Sequence, residues 1–482
     1  MYDKLALLTD LYQLTMMRGY IMAGLGDSET VFDLFYRRNP SGGGYAIACG
    51  LAQVIEYLGR LRFSQEEIDF LAKTEKFDGD FLEGLKNFKF TGDIFAVPEG
   101  SLVFPGEPIL RVKAPLAQAQ FIETAVLNII NHQSLIATKA SRVCYAARGD
   151  KVLEFGLRRA QGPDAGVYGA RAAMIGGCSA TSNVLCAKIF EVPVSGTHAH
   201  SWIMSFPDEL SAFRAYAKIY PDSCTLLVDT YDTIKSGVPN AITVFSEMRE
   251  NGSLSGYGVR LDSGDFAYLS KIAREMLDNA GFYDAAISAS SDLDEYIIRD
   301  LKQQGAKITL WGVGTRLITS QDCPSFGGVY KLAAKENAAG VLEPTIKLSE
   351  NIEKITNPGV KKLVRLYDGT TKKIKADLIT LDDETVSEDK NLTIFHPLAI
   401  WKKMTLKAKT FFTREPLIQV FKRGELVYKS PSVMDIREYC AAEKDTLWDE
   451  YKRLINPHIM PVDLSYKLWE LKNNMINEIR GA

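Results

Sequence analysis

Two histidines stand close together in residues 196–201 (GTHAHS), just after a short β-rich run. His198 and His200 are two positions apart, so in an extended strand their side chains would share a face and could both reach a metal ion. Neither an HExxH motif nor a suitably spaced carboxylate completes a zinc site. We therefore expect His198 to be a structural histidine and His200 to act as a base or as an acceptor of a phosphoryl group.

Other reactive side chains follow further β-rich runs in the same way. They are Arg158 and Arg159, Asp229, Arg260 with Asp262, Ser263 and Asp265, then Ser288, Ser290 and Ser291, and the turn Gly312-Val313-Gly314-Thr315. Enzymes built on parallel α/β barrels place their active sites at the carboxyl ends of the strands. The convergence of arginine, histidine, aspartate and glycine at these positions predicts one active-site face.

Two of these segments have structural as well as functional interpretations. The turn at 312–315 offers backbone N–H groups and a hydroxyl to a phosphate, or it is an ordinary tight turn between a strand and a helix. Asp262 and Asp265 suit ribose hydroxyls or Mg²⁺. Capping of a helix by Ser263 or Asp265 is equally compatible with the pattern.

The basic residues also leave alternatives open. Arg158 and Arg159 can hold a carboxylate or a phosphate by bidentate pairing, although we expect one of them to pair with an acid such as Asp164. Lys139 and Arg142 precede the β-rich region in a helix-like stretch. They could reach a phosphate across a dimer interface or lie solvated on the surface.

These groups need a scaffold that alternates strands and helices, and the chain has this pattern from about residue 151 onward. The β-rich runs cover residues 152–156, 192–196, 226–229, 258–262, 286–290, 308–312 and 329–332, with helical stretches such as 205–220 and 266–279 between them. Repeated βα units indicate a parallel sheet. About seven runs favour a barrel over an open doubly wound sheet.

The flanking parts mix both element types. We expect a helix from a Thr9-Asp10 cap through Tyr20 toward Gly24, strands at 30–36, 95–98 and 109–112, and a helix at 118–137. Further along, we expect strands at 362–366 and 378–381, a loop at 382–391 and a helical tail from 435. The predicted fold class is α/β, an irregular parallel TIM-like barrel with a second α+β domain built from N- and C-terminal parts. The expected domains are 1–130 (N-terminal α+β), 131–340 (barrel with the active site) and 341–482 (a C-terminal region returning to the N-terminal domain).

Composition excludes several classes of protein. The 482 residues include 24% charged residues with a formal net charge of -3, which gives no overall field for nucleic acid or an anionic membrane. The first residues (MYDKL) lack the pattern of a signal peptide, and no apolar run approaches the ~20 residues of a membrane helix. The seven cysteines are scattered without a CxxC motif. We expect a soluble, cytoplasmic enzyme without a nucleic-acid or membrane partner.

Six segments together resemble those of the nicotinate phosphoribosyltransferase family, in the same order and along nearly the whole chain. They are 9–16 (TDLYQLTM), 154–164 (EFGLRRAQGPD), 196–201 (GTHAHS), 258–265 (GVRLDSGD), 312–315 (GVGT) and 354–359 (KITNPG). One such motif is only suggestive, whereas the ordered set is specific. The resemblance implies an irregular barrel beside a domain made from both chain ends, and a homodimer with active sites shared across its interface.

Members of that family join nicotinate to phosphoribosyl pyrophosphate and form nicotinate mononucleotide for NAD synthesis. They couple the reaction to ATP hydrolysis through a phosphohistidine. The family pattern GT-x-AH implies that His200 is this residue and that His198 occupies a variable position. The resemblance also implies that Tyr12, Arg158, Thr197 and Arg260 hold nicotinate.

We expect the phosphoribosyl pyrophosphate site to combine matched and neighbouring residues. The set is Asp262, Ser263, Gly264, Asp265, Ser288, Gly312, Gly314, Thr315, Lys139 and Arg142. Mg²⁺ is the expected cofactor and ATP a co-substrate, with Asp229 or Asp262 near the metal or the ribose hydroxyls.

Three rival interpretations remain. A nicotinamide-using relative would place an aspartate rather than an arginine against the exocyclic group, and the arginines at the matching positions favour the acid. A quinolinate enzyme of the same architecture is expected to be shorter and to lack the ATP step. A non-catalytic phosphate sensor or scaffold would form no product from either substrate.

Overall fold

The structure is a computed structural model that describes residues 5–399 and 401–481. The start of the chain at Met1 to Lys4, where the sequence predicts no signal peptide, lies outside the described residues. The chain divides into two compact units, one formed by Met1–Leu135 with Ser325–Ala482 and the other by Ile136–Pro324. Across residues 5–399 and 401–481, every helix is too short or too polar to span a lipid bilayer.

The N-terminal part of the chain confirms the predicted mixture of elements. Its helices are α1 (Leu11–Met22), α2 (Leu51–Arg60), α3 (Gln65–Lys73), α4 (Gly79–Lys86), α5 (Leu116–Phe121) and α6 (Glu123–Ala146), and its strands are β1 (Glu29–Tyr36), β2 (Ala46–Ile47), β3 (Asp93–Ala96), β4 (Leu102–Val103) and β5 (Leu110–Pro115). The single helix predicted at 118–137 is wrong, because α5 and α6 are separate helices. Asp10 stands at the N-cap of α1, but its carboxylate accepts a hydrogen bond from Thr124 Oγ1 at 3.0 Å instead of capping the helix.

The second unit contains a parallel sheet flanked by helices. Its strands are β6 (Lys151–Glu154), β7 (Ala180–Thr181), β8 (Thr225–Leu227), β9 (Gly258–Leu261), β10 (Ala286–Ser290) and β11 (Leu310–Val313). Its helices are α7 (Pro163–Gly176), α8 (Val184–Phe190), α9 (His200–Met204), α10 (Glu209–Ile219), α11 (Val238–Glu250), α12 (Phe266–Asn279), α13 (Glu295–Gln303) and α14 (Thr315–Ile318). The strands are mostly buried, as expected for a parallel sheet covered by helices.

Two of the seven β-rich runs do not join this sheet. Residues 192–196 form only a parallel bridge between Thr181 and Val194, since Pro193 has no N–H to donate to a ladder. Residues 329–332 lie in a strand of the first unit that pairs antiparallel with β1. The short strand β7, which the sequence analysis missed, takes a place beside β6 instead.

The order of the parallel strands is β7-β6-β11-β10-β9-β8. Consecutive strands are therefore neighbours, as they are around a cylinder, except that β7 and β8 stand at the two ends. Within the described residues no strand ladder joins β7 to β8. The structure establishes a mixed α/β fold with a parallel sheet, and it does not establish a closed TIM-like barrel.

The C-terminal part returns to the first unit. Its strands are β12 (Gly328–Glu336), β13 (Leu342–Pro344), β14 (Lys361–Asp368), β15 (Ile374–Leu381), β16 (Leu392–Phe395), β17 (Lys403–Leu406), β18 (Phe411–Arg414), β19 (Ile418–Lys422), β20 (Glu425–Leu426) and β21 (Val462–Leu464), and its helices are α15 (Val433–Asp445), α16 (Asp449–Lys452) and α17 (Tyr466–Arg480). One sheet has the order β13-β12-β1-β5-β3-β19-β20, and the other has the order β17-β16-β21-β15-β14-β18. Strands from both ends of the chain thus share the first of these sheets.

Candidate active site

The carboxyl ends of the parallel strands in the second unit surround a cleft with two adjoining parts. The wider part is a cavity of about 350 Å³, lined by Phe155, Leu157, Arg158, Ser182, residues 196–200, Arg260 and Asp262. The narrower part is a cavity of about 210 Å³, lined by Phe155, Arg158, Arg159, Arg260, Asp262, residues 290–292, Gly312, Gly314 and Thr315. Because four residues line both parts, the two cavities form one continuous site.

A histidine–aspartate pair lies at one side of this cleft. His200 begins α9, and its Nε2 is 3.3 Å from Oδ1 of the buried Asp229. The other carboxylate oxygen of Asp229 accepts hydrogen bonds from Asp262 N at 2.8 Å and from Ser263 Oγ at 2.6 Å. If Nε2 carries the proton shared with Asp229, Nδ1 holds the lone pair. With 39% of its side chain exposed, His200 is accessible to an electrophile.

Arg260 is held in the cleft by several neighbouring side chains. Its guanidinium donates to Thr197 Oγ1 at 2.6 Å, to Ser290 Oγ at 2.8 Å and to Asp262 Oδ1 at 3.0 Å. Ser290 Oγ also donates a short hydrogen bond to Asp262. Burial acts to raise the pKa of Asp262, but the hydrogen bonds from Ser290 and Arg260 hold this pKa below its ordinary value. Asp262 is therefore ionised at neutral pH and compensates the charge of Arg260.

Two further arginines carry uncompensated charge at the cleft. Arg158 and Arg159 lie on the exposed turn after β6, and Arg158 lines both cavities. Over residues 5–399 and 401–481 neither arginine has an ion pair or a hydrogen bond through its side chain. The expectation that one of them pairs with Asp164 is therefore wrong. Both guanidinium groups remain available to an anionic ligand.

His198 differs from His200 in every respect that matters for chemistry. It is buried, its Nε2 accepts a hydrogen bond from Leu227 N at 3.4 Å, and its ring lies edge-on to Tyr216 at 4.6 Å. Burial lowers its pKa to about 4, so the imidazole is neutral at physiological pH. This burial and these contacts fit the predicted structural role, although His198 also lines the wider cavity. The described residues contain no group of three potential metal ligands, and these two histidines share no strand face.

The turn residues line the narrower cavity as the sequence suggests. Gly312 is necessary there, because a Cβ on it would stand 2.7 Å from the Phe155 ring. Gly264 has a φ of +84°, which favours glycine. Asp265 caps α12 by accepting a hydrogen bond from Tyr268 N at 3.0 Å. Ser263 does not cap this helix, because its hydroxyl donates to Asp229.

Ser263, Gly264 and Asp265 line neither cavity, and two further residues expected at the site are placed elsewhere. Ser288 is buried, donates its hydroxyl to Val259 O at 3.1 Å and lines neither cavity, so its assignment to the phosphoribosyl pyrophosphate site needs correction. Tyr12 belongs to the first unit, where 47% of it is exposed on α1. It is not part of the cleft lining in the second unit.

Lys139 and Arg142 also need correction, because both are buried in a structural ion cluster. Lys139 Nζ lies 2.7 Å from Glu295 and 2.6 Å from Asp322, while Arg142 Nε lies 2.8 Å from Glu295. Glu295 is fully buried, and an isolated buried carboxylate would be strongly destabilising. The two cations compensate this charge. They are not solvated, and nothing in this geometry supports their assignment to a phosphate.

Phe155 and Ser182 were not named as site residues by sequence reasoning, and Ser290 was named only among the polar residues that follow its strand, without a role. Phe155 lines both cavities, Ser182 lines the wider one and Ser290 joins Arg260 to Asp262. Phe155 stands inside the matched segment 154–164, and Ser290 ends a recognised strand, so both had a signal in the sequence. Ser182 follows the two-residue strand β7, which is too short for a periodic pattern to reveal.

The fold and the site define an α/β enzyme that acts on anionic substrates. Models of the nicotinate phosphoribosyltransferase (NAPRTase) family match three parts of the chain: the N-terminal domain over residues 7–131, the family model over 151–365 and the C-terminal domain over 360–472. A nicotinate phosphoribosyltransferase of Bacillus subtilis (strain 168) is 47% identical over 479 residues, covering 99% of this chain and 96% of the relative. The chain belongs to the nicotinate phosphoribosyltransferase family.

One solved structure agrees with this assignment, and a second shows the fold alone. The crystal structure of human nicotinic acid phosphoribosyltransferase is similar with a TM-score of 0.83 and 30% identity, covering 97% of this chain and 99% of that one. A nicotinate-nucleotide pyrophosphorylase from Pyrococcus furiosus shares the fold, with a TM-score of 0.69 at 20% identity and coverage of 92% and 96%.

Proposed function

We propose that this chain is an ATP-coupled nicotinate phosphoribosyltransferase of NAD biosynthesis. The proposed reaction joins nicotinate to phosphoribosyl pyrophosphate, giving nicotinate mononucleotide and pyrophosphate, while ATP and water give ADP and phosphate. The observation that carries the proposal is the cleft in which unpaired arginines and the His200–Asp229 pair open onto one continuous cavity. The names of the relatives supply the substrates.

Nicotinate fits the wider part of the cleft. Its carboxylate needs a cation, and Arg158 offers one whose charge no protein group compensates. Thr197 and Arg260 form the adjoining wall. A nicotinamide would leave the Arg158 charge without a partner, so the cleft favours the acid over the amide. Tyr12 is proposed to stack on the pyridine ring from the partner subunit of a homodimer.

The narrower part of the cleft suits the phosphoribosyl group. Gly312, Gly314 and Thr315 border it, and Arg159 adds a second uncompensated charge. The bond between ribose C1 and pyrophosphate breaks while the pyridine nitrogen bonds to C1, and the carboxylate of Asp262 stabilises the positive charge that develops on the ribose. Asp262 presents the oxygen ligands that Mg²⁺ prefers, and Mg²⁺ held there with the pyrophosphate would offset the charge of the leaving group.

His200 is proposed to carry the coupling to ATP. Its free ring nitrogen attacks the terminal phosphorus of ATP, the bond to ADP breaks, and water later takes the phosphoryl group to release phosphate. Asp229 orients the ring and offsets the positive charge of the phosphorylated imidazole. The phosphoryl group adds negative charge beside the cleft, where it can order the loops that hold the substrates.

A homodimer with shared sites is part of the proposal. Helix α1 buries Gln13, Leu14 and Met17 on one face, yet large apolar side chains are exposed along the rest of it. These are Leu11, Tyr12, Ile21 and Met22. A helix that is apolar on several faces indicates a partner surface.

A cytoplasmic location is proposed from the amino-acid composition.

The decisive experiment incubates the protein with ATP labelled on the terminal phosphate. Acid-labile, base-stable label should map to His200 and disappear in His200→Ala, while His458→Ala, which removes an exposed histidine of the first unit, keeps the label. Product formation from nicotinate and from nicotinamide, with and without ATP, tests the rest. Full ATP stimulation in His200→Ala would contradict the phosphohistidine. Absence of product from either substrate would favour a phosphate sensor or scaffold.

A further inference from the structure

Ser290 occupies the junction between the two parts of the cleft. Its Oγ accepts a hydrogen bond from Arg260 Nε at 2.8 Å and donates one to Asp262 Oδ1. Arg260 also contacts the same Asp262 oxygen at 3.0 Å, so the three side chains close a small ring. One hydroxyl therefore fixes both the guanidinium that faces the wider cavity and the carboxylate that lines both cavities.

The backbone around Ser290 is also specialised. Ser291 adopts a φ of 100°, a conformation that side chains other than glycine rarely adopt. Gly312, which pairs with Ser290 on the neighbouring strand β11, makes room, because a Cβ at that position would stand 3.2 Å from Ser290 Cβ and closer still to the Phe155 ring. Ser291 is strained, and Ser290 leaves no room for a side chain at Gly312. Both features indicate that the surrounding fold fixes the Ser290 hydroxyl in place.

We propose that Ser290 is a positioning residue that couples the nicotinate part of the site to the phosphoribosyl part through Arg260 and Asp262. This inference rests on the proposed function. Without the hydroxyl, Arg260 and Asp262 retain only their direct contact, and both gain rotational freedom. Because transfer requires the two substrates to meet in one geometry, the loss affects the reaction of both substrates together.

The kinetic constants give a readout that a purely structural role would not move. Arg260 and Asp262 line both cavities, and the backbone N–H of Asp262 donates to Asp229. If Ser290 positions these two side chains, its loss raises KM for both substrates together. A mere loss of folded protein lowers kcat and leaves both KM values unchanged.

The test compares Ser290→Ala with Ser270→Ala, which removes an equally buried hydroxyl on α12, outside the cleft. We expect Ser290→Ala to lower kcat/KM for nicotinate and for phosphoribosyl pyrophosphate by about tenfold or more, with a higher KM for each substrate. Ser290→Thr, which keeps the hydroxyl, should restore these values. Ser270→Ala should leave KM for both substrates unchanged.

A double-mutant cycle completes the test. If Ser290 acts through Asp262, the effects of Ser290→Ala and Asp262→Asn on kcat/KM are clearly less than additive. Additive effects, or KM values of Ser290→Ala that equal those of the unmodified enzyme for both substrates, would overturn the inference. If Ser290→Ala does not fold, Ser290→Cys, a poor donor of similar shape, replaces it. Absence of product with the unmodified chain refutes the proposed function instead, before any variant is compared.

Discussion

Two clusters that contain arginines differ in whether the chain's own carboxylates neutralise the arginine charge. In the first unit Arg365 is fully buried, with Nε and a terminal nitrogen on Asp377 at 2.9 and 2.7 Å and another nitrogen on Glu443 at 3.3 Å. In the second unit Arg158 and Arg159 line an open cleft without a protein partner among the described residues. The first cluster is closed by its own chain, whereas the second is left for a ligand to complete.

The pKa of a carboxyl group beside Arg365 distinguishes this closed cluster further from the open cleft. Burial and the nearby charge of Asp377 raise the pKa of Glu107 well above its ordinary value, which disfavours a further negative charge beside Asp377. The cluster therefore removes uncompensated charge from the interior. The cleft keeps such charge where water and substrate can reach it. An unpaired arginine in a cavity is informative about binding, whereas a paired buried one is informative about folding.

The largest effect is expected from opening the closed cluster. Arg365→Met leaves Asp377 and Glu443 buried without their shared cation, so the free energy of unfolding should fall by about 3–5 kcal/mol in urea titrations. Arg414→Met serves as the control, because Arg414 binds the same Glu443 from a side chain that is 38% exposed. Its loss should cost clearly less. Equal losses in the two variants would mean that burial does not distinguish these pairs.

The next largest effect is expected from the open cluster. Arg158→Ala should lower kcat/KM for nicotinate about 100-fold, which corresponds to about 2.7 kcal/mol, because the substrate carboxylate loses its charge-assisted partner. Its free energy of unfolding should stay within about 0.5 kcal/mol of that of the unmodified chain. Arg159 lines only the narrower cavity, so Arg159→Ala should affect phosphoribosyl pyrophosphate more than nicotinate. A stability loss without a kinetic effect in Arg158→Ala would reverse the comparison.

A substitution of Lys139 tests whether this residue stabilises the fold or binds phosphoribosyl pyrophosphate. The buried pair with Glu295 predicts that Lys139→Met lowers the free energy of unfolding by about 2 kcal/mol, since Arg142 still compensates part of the carboxylate charge. The kinetic prediction is that KM for phosphoribosyl pyrophosphate does not rise selectively. A selective rise in that KM with normal stability would restore the phosphate role that the sequence suggested.

The strands and helices of the second unit were predictable where the apolar residues follow a regular period. Strands β9 and β10 and helix α12 were recognisable because apolar periodicity continues over enough residues. The run at 329–332 is also β-rich but pairs antiparallel in the first unit, since a pattern of apolar residues does not specify a partner strand. Strand β7 has only two residues and leaves no periodic signal.

The sequence predicted which types of residue form the site. It did not predict how deeply each side chain is buried or which groups it pairs with. Ser288 and Ser290 share one face of β10, as residues two apart in a strand must, but only Ser290 lies far enough along to reach the cleft. The isolation of Arg158 and the burial of Lys139 depend on acids that lie close in space only after folding. Sequence spacing carries no information about such distances, so these assignments required coordinates.

The smallest effect concerns His198, a buried base near the cleft that carries no charge. Its pKa is about 4 in the folded chain against an ordinary value of 6.5, so an unfolded chain binds a proton first as the pH falls. The stabilisation from the neutral imidazole is intact above about pH 6.5 and is lost as the pH falls toward about 4, and the loss is about 2 kcal/mol at pH 5.

His198→Leu removes this titration. The free energy of unfolding, measured in urea between pH 7.5 and 4.5, should fall less steeply with decreasing pH in His198→Leu than in the unmodified chain. The exposed His458 provides the control, because His458→Leu should retain the original slope. Parallel curves for His198→Leu and the unmodified chain would show that His198 is protonated in the fold. A protonated imidazole beside Leu227 N would lack its acceptor atom, and His198 would then belong with the charged groups of the cleft.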